Sequence, residues 1–312
     1  MNKKVNVGFC VAYDWEYLKI SLPLIYDFAD RICLALDKDR ISWSGRAYQL
    51  NFPEFQKAIR KIDVDNKILI YEDSFYVEGL SSMENESRER FLLNKFFEER
   101  AWMVQLDVDE YFLNFRDFSS ILKNFLPNND VNIWCPTINL IKKLEDGYVY
   151  GVYEKFGDFS GASVASNGCR YLYGRVNDYR NIKLPFYIIN QTQARSEEEL
   201  RTKLMSYGHS DEPNILETID RWRELDRQNY KSIMIDSAWN GIFGNQLLKL
   251  EFAASENIED LIKIFRDKQL PSIPIERILL RESAIDIWRS IKRLLKNQRK
   301  DAYTLHEWRI VV

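Results

Sequence analysis

The chain has 312 residues, 46% of them hydrophobic and 29% charged, with a net charge of −3. That is enough sequence for one large α/β domain or two small ones, and the composition is that of a soluble globular protein. The weak negative charge argues against a general nucleic-acid binder, and no apolar run approaches the ~18 residues of a membrane-spanning helix.

Met1-Asn2-Lys3-Lys4 runs straight into an apolar, β-rich segment, 5–12, so a buried strand and no signal peptide are expected here. Tyr13-Asp14-Trp15-Glu16 ends it. Residues 17–28 have helical apolar spacing, and 32–36 read as a second strand closed by Asp37-Lys38-Asp39-Arg40. Strand, helix and strand in this order form a βαβ opening. It carries neither G-x-G-x-x-G nor G-x-x-x-x-G-K-[ST], which excludes the usual dinucleotide and P-loop phosphate sites. Residues 42–51 read as loop, 53–62 as a short helix and 67–71 as a third strand ending in Glu72-Asp73. Residues 85–100 form a charged amphipathic helix carrying Arg88, Arg90, Asn94 and Lys95.

That helix leads into Ala101-Trp102-Met103-Val104 and then Gln105-Leu106-Asp107-Val108-Asp109-Glu110-Tyr111-Phe112. A buried strand cannot carry unpaired carboxylates, so the acids mark its C-terminal end, where open α/β sheets bind ligands. Asp107 and Asp109, two apart in extended chain, face one side and repel unless a cation lies between them. Oxygen ligands of this kind suit Mg²⁺ or Mn²⁺ beside a substrate phosphate. A plain turn explains any one D-x-D. Three successive strands ending in acids (Asp37/Asp39, Glu72/Asp73, Asp107/Asp109) favour a cleft along one sheet edge.

Further on, 118–125 read as helix, 131–135 as strand, 142–178 as hairpins and loops that could hold an acceptor, and 185–190 as strand. Ser196 begins a strong helix to Tyr207, with Glu199 completing a capping box. Gly208-His209-Ser210-Asp211 follows, then a helix over 215–229. Residues 258–300 read as helices broken around Pro271 and Pro274. The last part, 283–300, is basic and amphipathic, and suits either packing on its own domain or contact with an anionic membrane. Cys10, Cys33, Cys135 and Cys169 form no C-x-x-C pair and read as reduced residues of a cytosolic protein.

Three segments resemble the bacterial, family 2-like branch of the GT-A-fold nucleotide-sugar glycosyltransferases. They are Val7-Gly8-Phe9-Cys10-Val11-Ala12-Tyr13-Asp14-Trp15-Glu16-Tyr17-Leu18, where Asp14 replaces the family's usual Asn; Gln105 to Phe112; and Ala194-Arg195-Ser196-Glu197-Glu198-Glu199-Leu200 through Gly208-His209-Ser210. The likeness covers roughly the first 215 residues and is specific for reaction class, not for a sugar.

The resemblance implies a Rossmann-like, mixed but mostly parallel central sheet flanked by helices, with a helical C-terminal extension. It implies a catalytic domain over 1–250, with a nucleotide half at 1–115 and an acceptor half at 116–250, and the extension at 251–312. Ala12, Tyr13 and Glu16 would lie beside the base and ribose of a UDP- or GDP-sugar, with Asp37 bonding the base. Arg88 and Asn94 would lie near ribose and diphosphate. Asp109 would hold Mn²⁺ or Mg²⁺, with Asp107 on the metal, its water or the ribose, and His209 as a third ligand or a diphosphate contact, although His209 also suits a plain helix C-cap. Asp211 is the first candidate for general base, with Glu197, Glu198 and Asp158 as rivals. The expected reaction is inverting sugar transfer to a growing surface glycan or glycolipid, in the cytoplasm or peripherally at the inner face of the membrane. A nucleotidyltransferase or phosphotransferase could use the same acids, but lacks here its Gly-rich, basic loop after the first strand. A non-catalytic glycan-binding module would bind sugar without nucleotide or metal.

Overall fold

The computed structural model describes residues 3–97, 101–153, 160–211, 215–232, 235–236, 247–268, 270, 274–282, 284–285 and 288. Strand β1, Val5–Val11, is buried along its whole length, which is why it reads as an unbroken apolar run. A 3₁₀ turn at Trp15–Tyr17, helix α1 at Leu18–Ile25 and a second turn at Tyr26–Phe28 return the chain to β2, Arg31–Asp37. Helix α2, Phe52–Ile62, is capped by Asn51, whose side chain accepts from Glu54 N. It precedes β3, Ile68–Asp73. Helix α3, Ser82–Phe96, starts on a Ser81–Glu84 capping box and delivers the chain to β4, Trp102–Asp107.

These four strands lie in the order β3-β2-β1-β4, every pair parallel. Their C-terminal ends therefore share one edge, with Cys10 beside Asp107 and Asp37 beside Asp73 in the register.

The second half is built differently. Strand β5, Glu110–Phe112, and helix α4, Phe115–Asn124, precede the long β6, Val131–Leu144. Then come β7, Gly147–Tyr153, β8, Ser160–Ser166, β9, Arg180–Lys183, and β10, Ile188–Asn190. Helices α5, Glu197–Ser206, and α6, Ile215–Glu224, are followed by β11, Ile235–Asp236, β12, Leu247–Ala254, and α7, Ile258–Asp267. The sheet continues from β4 through β8, β6, β7 and β12 to β11, all antiparallel steps.

The fold is thus α/β with a mixed sheet. The expectation of a mostly parallel sheet holds for the first four strands; beyond them β9 and β10 pair parallel with β6 and the other pairings are antiparallel. The reason lies in the connections: β6 and β7 pair Leu144 with Gly147 across a two-residue turn, and so tight a turn can join only antiparallel strands. Gly147 is required there, because a Cβ would lie 2.2 Å from the Ala253 carbonyl oxygen of β12.

The expected boundary at 250/251 falls inside β12. Helix α7 packs Ile258, Leu261, Ile262 and Phe265 on Tyr148 and Tyr150, and Ile275, Ile278 and Leu279 pack against the main core. The expected amphipathic helix over 283–300 lies outside the described residues except at 284, 285 and 288. Among the described residues no helix is long and apolar enough to cross a membrane. All four cysteines are free, and Cys10, Cys33 and Cys135 are buried.

Candidate functional site

Strand β4 ends at Asp107, and the turn to β5 carries Asp109. Its backbone is pinned, because Asp109 O accepts from Gln191 N at 3.0 Å just beyond β10. Glu110 is fully buried and points the other way. Both its oxygens take Arg175, at 2.7 and 2.6 Å, and Oε2 also accepts from Asp107 N. Burial raises the Glu110 carboxyl above its ordinary range even against the pull of Arg175. This acid anchors the 171–176 loop instead of facing a ligand.

Around Asp107 and Asp109 the chain gathers bases. Arg90 Nη2 donates to Asp107 Oδ1 at 2.7 Å, held in place by Glu86 one turn earlier on α3, and Arg175 Nη2 lies 3.8 Å from Asp107 Oδ2. Arg195 Nη2 and Lys203 Nζ both donate to Asp109 Oδ2 at 2.6 Å. Both Nη atoms of Arg195 also reach Asp14 Oδ2 at 3.1 Å, and its guanidinium stacks on the Tyr17 ring. Burial works against charge on Asp107 and Asp109. Arg90 and Arg175 outweigh it for Asp107, and Lys203 and Arg195 for Asp109, so both carboxyls are held below the usual range. For Asp14 burial outweighs Arg195 and the carboxyl is raised.

The expected Ser196–Glu199 capping box is present and sets where α5 begins. Arg195, immediately before that cap, turns inward, and Lys203 follows two turns along the helix. One local start signal thereby positions both cations on Asp109.

Several expected site residues are placed elsewhere or spent. Ala12 and Tyr13 follow β1 at the cleft edge, Tyr13 meeting the Tyr48 ring edge-on. Glu16 is exposed and pairs with Lys19. Asp37 does not face a nucleobase. Its Oδ1 accepts from Asp39 N and Ile41 N and its Oδ2 from Phe75 N and Tyr76 N. Four N–H groups fill a carboxylate's acceptor sites, so Asp37 ties the end of β2 to the chain beyond β3. Arg88 donates to Ser74 O and Phe75 O, and Asn94 to Gly168 O and the Tyr171 hydroxyl, away from Asp107 and Asp109. Asp211 is exposed and accepts from Ser82 N at 2.8 Å, which makes it a cap for α3. Of its rivals, Glu197 pairs with Arg201 and Arg223; Glu198 lies in the first turn of α5; Asp158 lies outside the described residues.

His209 lies against Tyr173 and Tyr207, with Nδ1 3.5 Å from the Tyr173 hydroxyl. A Cβ on Gly208 would come 1.9 Å from Glu86 Oε2, and one on Gly174 2.9 Å from Glu86 Oε1. Two glycines thus let the 207–211 and 171–176 loops close on the carboxylate that holds Arg90. The His209 loop borders the charged cluster without adding an imidazole to Asp107 and Asp109.

These residues do not fit a divalent metal as arranged. An ion needs several oxygen or nitrogen lone pairs converging on one point. Asp109, only 1% exposed, is already held by two cations, and Asp107 is held by Arg90. Among the described residues no three His, Cys, Asp or Glu side chains converge as a metal site.

The bases that gather on these acids are Arg90, named in the sequence only as part of a charged helix, and Arg175, Arg195 and Lys203, to which the sequence assigned no role. Arg195 and Lys203 lie within the segment that carries the resemblance, and that was the available signal. Arg175 had none. No protein-family model and no curated protein matches the chain.

Proposed function

We propose that the chain is a glycosyltransferase of GT-A-like architecture, moving a sugar from a nucleotide-sugar donor to a glycan or glycolipid. One observation carries the reading. Three segments that separately resemble those transferases meet at a single cluster, because Arg195 of the third bonds Asp14 of the first and Asp109 of the second. Turn or cap chemistry does not require such a meeting. The parallel strands β3-β2-β1-β4 support it further, since their ends line the edge where α/β sheets bind ligands.

In the transfer, the acceptor hydroxyl attacks the anomeric carbon and gives up its proton to a general base or to water, as the bond from that carbon to the diphosphate breaks. The electron pair leaves on a phosphate oxygen, and positive groups fixed beside it stabilise the growing charge. Arg90, Arg175, Arg195 and Lys203 form such a preorganised set. The Tyr173, Tyr207 and His209 rings beside it offer flat faces for a sugar acceptor.

Calorimetry with UDP, GDP and their sugars tests the reading, with nucleotide-sugar hydrolysis as a second readout. Binding of UDP or GDP, with slow hydrolysis of its sugar, is expected. A chain that binds no nucleoside diphosphate is not this enzyme.

A further inference from the structure

Two carboxylates at a strand end call for cations, and in this protein side chains supply them, Arg90 at Asp107 and Arg195 and Lys203 at Asp109. We propose that the Lys203 ammonium, not a divalent metal, is the cation that meets the donor's diphosphate. The inference rests on the transferase reading above.

Lys203 Nζ bonds Asp109 Oδ2 at 2.6 Å, and its charge also acts on Asp107 and Asp14, so it lies among the three carboxylates of the strand ends. A divalent ion approaching Asp109 would meet the repulsion of the ammonium and the Arg195 guanidinium that already share its Oδ2. The bases differ in what they have left to give. Arg195 has its side chain sealed from solvent, and Arg175 grips Glu110 with both Nη atoms. An ammonium has three N–H groups, and Lys203 spends one on Asp109 while its side chain stays partly exposed. Among the described residues the other two meet no acceptor, which leaves them for a phosphate oxygen.

A second observation points the same way. Arg90 Nη1, buried on the guanidinium that holds Asp107, has no acceptor among the described residues. The cluster thus holds an unspent buried donor as well as the unspent N–H groups of Lys203, and it is acceptors, not further cations, that would complete it. When the sugar–oxygen bond breaks, Lys203 would donate a hydrogen bond to the oxygen receiving the electron pair and keep its proton throughout.

The test uses the full chain after treatment with a chelator. Mn²⁺ alone is titrated and followed by the paramagnetic resonance signal of the free ion. UDP and GDP are then titrated calorimetrically in EDTA and in Mn²⁺, beside uridine and guanosine. The expected result is a free-ion signal unaffected by protein and diphosphate affinities equal within about threefold in EDTA and Mn²⁺. Lys203→Met should weaken diphosphate binding about tenfold or more and leave nucleoside binding unchanged, with Lys203→Arg recovering most of the loss. Mn²⁺ uptake that disappears in Asp109→Asn, diphosphate binding that requires Mn²⁺, or full affinity in Lys203→Met would each overturn the proposal and leave the transferase reading standing. Failure of both diphosphates to bind in either condition refutes the transferase reading and this inference with it. Should Lys203→Met not fold, the two wild-type measurements still decide.

Discussion

Arg195 and Asp109 lie 86 positions apart in sequence and 2.6 Å apart in space, with neither side chain appreciably exposed to water. Asp14 takes the same guanidinium from the other side. One arginine therefore fastens the end of β1, the turn after β4 and the start of α5 into a single site.

Replacing that arginine should be costly. Arg195→Met leaves Asp109 and Asp14 buried beside each other with Lys203 as their remaining partner. Breaking a buried pair from one side costs about 3–5 kcal/mol. Urea unfolding should show a loss of this size, partly recovered by adding Asp14→Asn, since contacting sites couple. A loss below about 1 kcal/mol would mean that the ion pair is not buried as described.

Asp37 makes the opposite prediction from a base-reading residue. Asp37→Asn turns an acceptor for two backbone amides into a donor, and unsatisfied buried donors cost about 1–3 kcal/mol. The unfolding midpoint should fall while the folded fraction binds nucleotide as wild type does. A variant of unchanged stability and lost nucleotide affinity would restore Asp37 to the base pocket.

Asp211 should behave as a helix cap. Asp211→Ala should destabilise the chain by about 0.5–2 kcal/mol and leave turnover of bound donor within a few-fold. A rate loss of about a hundredfold at unchanged stability would instead make it the general base.

Glu89 gives the chain a pH dependence. It is buried, accepts from the Trp43 indole N–H at 2.5 Å, and desolvation pushes its carboxyl up to about 8. A carboxyl raised above its unfolded value stabilises the fold below the unfolded pKa, near 4.5, and that contribution is lost as pH rises to about 8. Glu89→Gln keeps an acceptor for Trp43 and has no charge to bury. Thermal unfolding of the two proteins should diverge in the variant's favour between about pH 5 and pH 8. Parallel curves across that window would show that Glu89 ionises freely.

The local layer of this protein was legible in its residues. Apolar runs at β1, β2 and β4, the amphipathic α2 and the Ser196–Glu199 capping box all form where pattern and cap chemistry place them. Other elements were not. The apolar pattern of the sequence ends β6 at residue 135 and marks no strand at 247–254, where the structure has Val131–Leu144 and Leu247–Ala254. Strand β12 pairs with the distant β7, and β6 runs on past residue 135 as one arm of the hairpin it forms with β7. Arg88 and Arg90 show the same limit at one helix. Two positions apart, they point roughly 200° apart around α3, and only Arg90 meets Asp107.

By itself the sequence determined the periodic elements, the helix caps and the acids at the strand ends, because each depends on neighbours within a few residues. The tertiary structure alone decided which charges those acids meet. An ion pair such as Arg195–Asp109 depends on how strands and helices pack across the whole fold, and a lone arginine or lysine reads the same whether it ends in solvent or against a buried carboxylate.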